Sequence, residues 1–204
     1  MSVQSPRGYL ALYVLLGALA VILWAWLAGW PGPIVESDIE QVRLDQALPL
    51  LRGAVQLRQT FTPRHDGLTE VEVQAARYEV EENDGALNLR LYDEQGELVA
   101  ERTLDTRSLT HNQFVTLTFP PQPASGGQRY ALEVEGQGSG AFSLWGYTLD
   151  VLQPGALSVS GAESAARTLR FVTRYELTPA AALRELWSAV QEGAAVIFLS
   201  LTLI

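Results

Sequence analysis

Trp145 and Tyr147 alternate within GAFSLWGYTLD (residues 140–150) and are the side chains best suited to hold a ligand without covalent chemistry. Flat aromatic faces stack on sugar rings, and they also fill the cores of β-sandwiches. Strand alternation places Phe142, Leu144, Gly146 and Thr148 on one face, and Ser143, Trp145, Tyr147 and Leu149 on the other. Both sets can be buried only if the sheet is covered on two sides, or if a bulge near Gly146 shifts the register. Core packing, a sugar platform and contact with a neighbouring domain or membrane surface therefore all stay open for this pair. Arg77, His111 and Asn112 are polar strand-end or loop residues able to hydrogen-bond the same ligand, although Asn112 also suits a turn.

Other chemistry is less well served. The loop EVEENDG (residues 79–85) offers Glu81, Glu82, Asn83 and Asp84 as oxygen ligands for a structural calcium. It lacks EF-hand spacing, and a solvated charged loop is the commoner outcome. Beyond that calcium, no cofactor is expected. Glu133, Glu135, Asp93 and Glu97 could be proposed as a hydrolase pair, which needs two carboxyls about 5–10 Å apart in a cleft. They fall instead at polar strand positions and turns. His65 sits between Pro63 and Asp66 in a turn, His111 lies in the loop-like LTHNQ, and no Ser occupies a Gly-x-Ser-x-Gly elbow. No catalytic residue is assigned.

Composition removes whole classes of function. All 14 cationic side chains are Arg, so Lys-dependent Schiff-base and P-loop chemistry is excluded. With no Cys and only two His, thiol nucleophiles, disulfides, zinc-thiolate sites and multi-histidine metal centres are excluded too. A net charge of -9 without a basic run argues against nucleic-acid binding.

The elements that would carry these side chains begin at a membrane. Residues 9–30, YLALYVLLGALAVILWAWLAGW, carry no charge, and as a helix would be about 33 Å long, enough for a hydrocarbon core of about 30 Å. Tyr9 and Tyr13 lie near one end and Trp24, Trp26 and Trp30 near the other, the distribution of interfacial aromatic belts. Pro31 and Pro33 stop the helix. A cleaved signal peptide is the rival, but its apolar region is shorter and ends in small residues, where this run has Trp. Arg7 before the span, and Glu36, Asp38 and Glu40 after it, favour a cytoplasmic N-terminus and an extracytoplasmic main domain.

Residues 31–52 read as an irregular stalk. From residue 53 the texture changes to short alternating runs such as Leu87-x-Leu89-x-Leu91, Val115-x-Leu117-x-Phe119 and Tyr130-x-Leu132-x-Val134. Turn signals separate them: Asp66-Gly67, the DEQGE hairpin (93–97), the Pro- and Gly-rich 120–127 and the Gly-rich 136–140. Seven or eight such strands predict a mainly β, antiparallel sandwich over 53–177. Thr178 as N-cap and Pro179 after it open a C-terminal helix over 178–204. Its apolar tail, 193–204, makes only about 18 Å of helix. It reads as the start of a second span that continues past Ile204, or as a tail lying in the interface or packing on the first helix.

Four segments form an ordered series: LRQTFTPRHDGLTEVEVQAA (57–76), LNLRLYDEQGELVAERTL (87–104), FVTLTFPPQPASGGQRYALEVEG (114–136) and SLWGYTLD (143–150). They resemble the extracytoplasmic jelly-roll module of bacterial, Chloroflexi-like membrane glycosyltransferases and other polytopic polysaccharide-biosynthesis membrane proteins. The resemblance covers most of residues 53–151 and rests on core and turn positions, so it implies a fold more than a chemistry. It implies an extracytoplasmic insert between membrane helices. The acidic residues that such enzymes carry after their first span have no matching motif around Glu36, Asp38 and Glu40. The expectation is a membrane-anchored jelly-roll sandwich that binds or positions envelope glycan without catalysis. A structural or assembly module contacting a neighbouring membrane-protein domain, and the N-terminal piece of a polytopic glycosyltransferase, are the alternatives.

Overall fold

Alternating apolar residues give each strand one oily face, and two sheets hide those faces against one another. The computed structural model describes residues 6–28, 32–53, 55–77, 84–138, 142–149, 155–163, 168–178, 182 and 187, with side chains at all of these except 6–12, 26, 27, 77 and 163. The chain is mainly β and divides into two units, residues 35–176 and the two ends, Met1–Ile34 with Leu177–Ile204.

Helix α1 (Pro6–Leu27) places Pro at its first position, where the missing N–H costs nothing. The strands follow as β1 (Ile34–Gln41), β2 (Gln46–Ala47), β3 (Gln56–Phe61), β4 (Leu68–Arg77), β5 (Gly85–Tyr92), β6 (Leu98–Asp105), β7 (Phe114–Gln122), β8 (Tyr130–Gly138), β9 (Phe142–Tyr147), β10 (Ala156–Val159), β11 (Ala162–Glu163), β12 (Thr168–Leu169) and β13 (Phe171–Leu177). A seven-stranded sheet runs β1-β13-β4-β9-β12, with β7 on β4 and β2 on β9. A six-stranded sheet runs β11-β10-β3-β8-β5-β6. Strands β3 and β8 pair antiparallel, as in Leu57↔Val134, as do β4 and β7, as in Val71↔Leu117, and β5 with β6 and β8.

The facing surfaces interlock as alternation predicts. Leu57, Phe61, Leu87, Leu89, Leu91, Leu132 and Val134 come from the six-stranded sheet. Val71, Val73, Val115, Leu117, Phe142, Leu144 and Phe171 come from the other. Phe61 meets Phe171 across the core, ring centroids 5.5 Å apart. Polar side chains also take inward positions: Gln59 is fully buried, and its Oε1 accepts the Leu169 N–H at 2.9 Å, joining β3 to β12. Tyr130 also lies in the core, and burial pushes its phenol pKa up, with Asp93 and Asp66 adding to the rise.

The stalk expected over 31–52 is corrected by the structure. Strand β1 forms an edge of the seven-stranded sheet, β2 pairs with β9, and Ile39, Leu48 and Leu51 belong to the core. An edge strand needs only one apolar contact face, so IVESDIEQ escapes an alternation test while its backbone is still paired. Leu48 and Leu51 donate their N–H groups to Leu144 and Phe142 carbonyls. Close approach here depends on Gly136, where a Cβ would stand 2.1 Å from the Leu51 carbonyl oxygen.

In α1, Tyr13, Val14, Leu15 and Leu16 turn once round the axis and all are exposed, as are Leu19, Ile22 and Trp24. Its described side chains occupy only part of its length, and among the described residues no helix is long and apolar enough to cross a membrane. At the other end, the Thr178 carbonyl accepts the Ala182 N–H at 2.9 Å, the first bond of a helical turn and the one an N-cap accepts. The rest of the helix expected over 178–204, Trp187 apart, lies outside the described residues.

Candidate functional site

The outer face of the seven-stranded sheet carries one transverse row of side chains. Phe114 on β7 sits opposite Gln74 on β4. The Gln74 N–H then reaches the Arg170 carbonyl at 3.4 Å, and the Arg170 N–H reaches the Trp145 carbonyl on β9 at 2.8 Å. Trp145 in turn sits opposite Ala47 on β2. Because Val73, Leu144 and Phe171 point inward, Gln74, Arg170 and Trp145 point outward together.

Each member is held by its neighbours. The Trp145 indole Nε1 donates to Asn112 Oδ1 at 2.7 Å, and the His111 ring stands edge-on to the indole at 6.1 Å. Asn112 adopts a φ of 64°, a left-handed turn conformation that Asn tolerates, and its N–H donates to the Ala75 carbonyl. Gln74 Nε2 donates to the Asn112 carbonyl, and Arg170 donates one N–H to Gln74 Oε1 at 2.6 Å. Arg170 Nε donates to the Val42 carbonyl, while its guanidinium lies 4.7 Å from the centre of the Phe114 ring. The two hydrogen bonds orient the guanidinium, and the cation–π contact holds it against the ring.

The structure therefore brings Trp145 and Asn112 into direct contact. The competition between the two faces of β9 is resolved by Phe142 and Leu144 entering the core, with Trp145 and Tyr147 half-buried on the outer face. Ser143 on that outer face is fully buried, its hydroxyl donating to the Leu48 carbonyl at 2.6 Å, so cover on two sides holds at that end of the strand. Tyr147 pairs with Thr168 one step beyond the row. Arg77 ends β4 opposite Phe142, and its side chain lies outside the described residues. Glu81 and Asn83 lie outside them as well. Asp84 is exposed and adds to the field that raises the Arg107 pKa, where the Asp105 hydrogen bond is the largest cause. Among the described residues no group of three or more His, Cys, Asp or Glu side chains could hold a metal ion.

The outer face of the six-stranded sheet is arranged differently. Glu133 bonds Arg58 and Gln56, and Arg90 bonds both Glu101 and Glu135. Of the four carboxylates that could form a hydrolase pair, Glu133 and Glu135 are thus committed to arginines, and Asp93 accepts the Gln95 and Glu97 N–H groups inside its hairpin turn. His65 has a fixed role too. Its Nδ1 lies 3.1 Å from Oδ1 of the buried Asp38, and its ring stacks on Tyr175 at 4.5 Å, whose hydroxyl donates to Glu36. The buried Ser125 hydroxyl accepts from the Leu68 N–H and donates to the His65 carbonyl, so it serves the backbone.

Three members of the row, Phe114, Gln74 and Arg170, were not singled out by the sequence. Alternation with Leu169 and Phe171 does mark Arg170 as outward-facing. Its placement beside Trp145 depends on strand order, which no local pattern carries.

No family model matches the chain, and no curated protein matches it. Among solved structures, an arabinose-bound α-L-arabinofuranosidase aligns at TM-score 0.30 and 13% identity over 74% of this chain and 23% of its own. Infectious bursal disease virus, Gt strain, aligns at TM-score 0.26 and 15% identity over 70% of this chain and 37% of its own. The VP2 subviral particle of that virus aligns at TM-score 0.24 and 15% identity, with the same coverage. The chain spans about a quarter to two fifths of these neighbours' lengths, and likenesses this weak carry no argument about its function.

Proposed function

We propose that the chain is a non-catalytic jelly-roll module, anchored in the cell membrane, that binds or positions envelope glycan outside the cell. The observation that carries the glycan reading is the row Phe114–Gln74–Arg170–Trp145. It sets the half-buried Trp145 ring beside the Arg170 guanidinium, which Phe114 and Gln74 position, and that mixture recognises a ring with an apolar face and hydroxyl edges. Asn112 consumes the indole N–H and so fixes the ring before any ligand arrives, which lowers the entropy cost of stacking. The anchor reading is supported by α1, whose described side chains are apolar and exposed around the whole circumference. A helix apolar all round belongs in a protein core or in lipid.

The glycan reading is tested by titrating the full chain, in detergent micelles, with a panel of envelope oligosaccharides. Saturable binding that Trp145→Ala weakens at least tenfold is expected, and no binding by any member of the panel would overturn it. The anchor is tested with Leu16→Arg. A central Arg costs a helix about 2.5–3.5 kcal/mol on insertion, so the variant should leave the membrane fraction. Retention of the wild type in the soluble fraction would overturn the anchor.

A second reading, a segment of a polytopic membrane glycosyltransferase, is favoured by one observation: the two ends of the chain form a single unit. With no native Cys, single cysteines report topology cleanly. An impermeant maleimide should label Gln95→Cys on intact cells and leave Ser2→Cys unlabelled. Labelling at both positions would rule out a cytoplasmic N-terminus.

A further inference from the structure

We infer that the outer face of the seven-stranded sheet selects an acidic saccharide, with Arg170 receiving a uronate carboxylate while the sugar ring stacks on Trp145. This inference rests on the glycan reading above and goes beyond it by assigning the ligand's charge and the residue that reads it.

The argument starts from what the sheet arginines do. Arg58, Arg90 and Arg174 each hold a carboxylate: Glu133 for the first, Glu101 and Glu135 for the second, Glu70 and Glu72 for the third, while Arg102 at the edge of the other sheet holds only the Thr116 carbonyl. Arg170 has no carboxylate within ion-pair reach among the described residues. A guanidinium has five N–H donors. Arg170 spends one on the Val42 carbonyl and one on Gln74 Oε1, which leaves three.

Arg170 is also held rigidly for an exposed-face cation. Its guanidinium carbon lies 4.7 Å from the centre of the Phe114 ring, which is 43% exposed, and its Gln74 partner is buried and tied to Asn112. The fork is therefore oriented before binding, the condition under which Arg reads a planar carboxylate in preference to a point charge. The nearest acidic side chain along β4, Glu72, already lies 3.5 Å from Arg174 and accepts from the Thr116 hydroxyl, so it does not compete for Arg170. Directly paired antiparallel neighbours have Cβ atoms about 5 Å apart. The guanidinium itself reaches over Gln74 to the Phe114 ring, so an oligouronate that stacks one ring on Trp145 presents the carboxylate of a neighbouring unit to Arg170.

The test is calorimetric titration of the full chain in detergent micelles with three probes. These are an oligogalacturonate, the same oligomer fully methyl-esterified, and poly(glycerol phosphate). The oligogalacturonate should bind at least tenfold tighter than its ester, with affinity falling as salt rises. Arg170→Gln should abolish that preference while ester binding persists, and Trp145→Ala should weaken both. Equal affinity for acid and ester, or a preference that survives Arg170→Gln, overturns the inference and leaves the glycan reading standing. Tightest binding to poly(glycerol phosphate) overturns it in favour of a phosphate ligand. Failure of every probe and of the envelope panel overturns both readings together.

Discussion

The two outer faces of the sandwich handle charge in opposite ways. On the six-stranded sheet, Arg58, Arg90, Glu101, Glu133 and Glu135 form a ladder in which cations and anions meet within the face. On the seven-stranded sheet, Glu70, Glu72 and Arg174 close a similar network, and burial of Arg174 is outweighed by the two carboxylates, so its pKa is raised. The next row along breaks the pattern: Asn112 and Gln74 hold Trp145 and Arg170 in place without a carboxylate, and three Arg170 donors keep no partner among the described residues. A face that satisfies itself is good for solubility, and a face that does not is where a ligand can be recognised. Edge protection shows the same economy: Arg102 points toward the interior from the edge strand β6 and donates to the Thr116 carbonyl of β7.

Changes to the shared foundation should undo both faces and produce the largest effects. Gly136→Ala drives a methyl into the Leu51 carbonyl and should cost about 3 kcal/mol, read as a lowered midpoint in chemical denaturation. Gln59→Leu leaves the Leu169 N–H buried without its acceptor and should cost about 1–3 kcal/mol. A Gln59→Leu variant as stable as wild type would show that this bond across the core is not needed.

Smaller changes should separate the faces. Asn112→Ala removes the acceptor that fixes Trp145 and should weaken glycan binding several-fold, with about 1–2 kcal/mol lost in stability because Ala is strained at a φ of 64°. The matching change on the opposite face, Glu133→Gln, should cost under about 1 kcal/mol and leave binding unchanged, since Arg58 is half-exposed. Loss of binding from Glu133→Gln would break the assignment of roles. The smallest effect is expected at the exposed Asp105, whose pKa is lowered from 3.8 by hydrogen bonds from the Arg107 side chain and N–H. A carboxyl with a depressed folded pKa contributes stability above its unfolded value and loses it as the pH falls through the folded one. Asp105→Asn should therefore flatten slightly the stability curve below about pH 4, and match wild type in the slope there only if the pair contributes nothing.

Much of the sandwich could be read before any coordinates. Leu87-x-Leu89-x-Leu91 and Tyr130-x-Leu132-x-Val134 declare their buried faces, and the DEQGE turn joins β5 to β6 with Gly96 at a φ of 83°. Strand β1 was hidden because its buried residues are Asp38, Ile39 and Gln41, and the pairing of an edge strand leaves no periodic trace. Gln59 was hidden because a polar residue in an inward slot looks like a break in pattern until its partner 110 residues away is known. The site was half legible for the same reason. Trp145 and Asn112 stood out by type, but their contact, and the arrival of Arg170 between Gln74 and Trp145, come from strand order.

The most direct test follows the indole N–H resonance of Trp145 by NMR in the full chain during titration with the oligosaccharide that binds best in the panel. The resonance, assigned by its loss in Trp145→Phe, should shift saturably with the calorimetric affinity, while those of the other four Trp stay in place. A saturable ligand that leaves the Trp145 resonance unmoved would contradict the assignment of the glycan site to the outer face of the seven-stranded sheet.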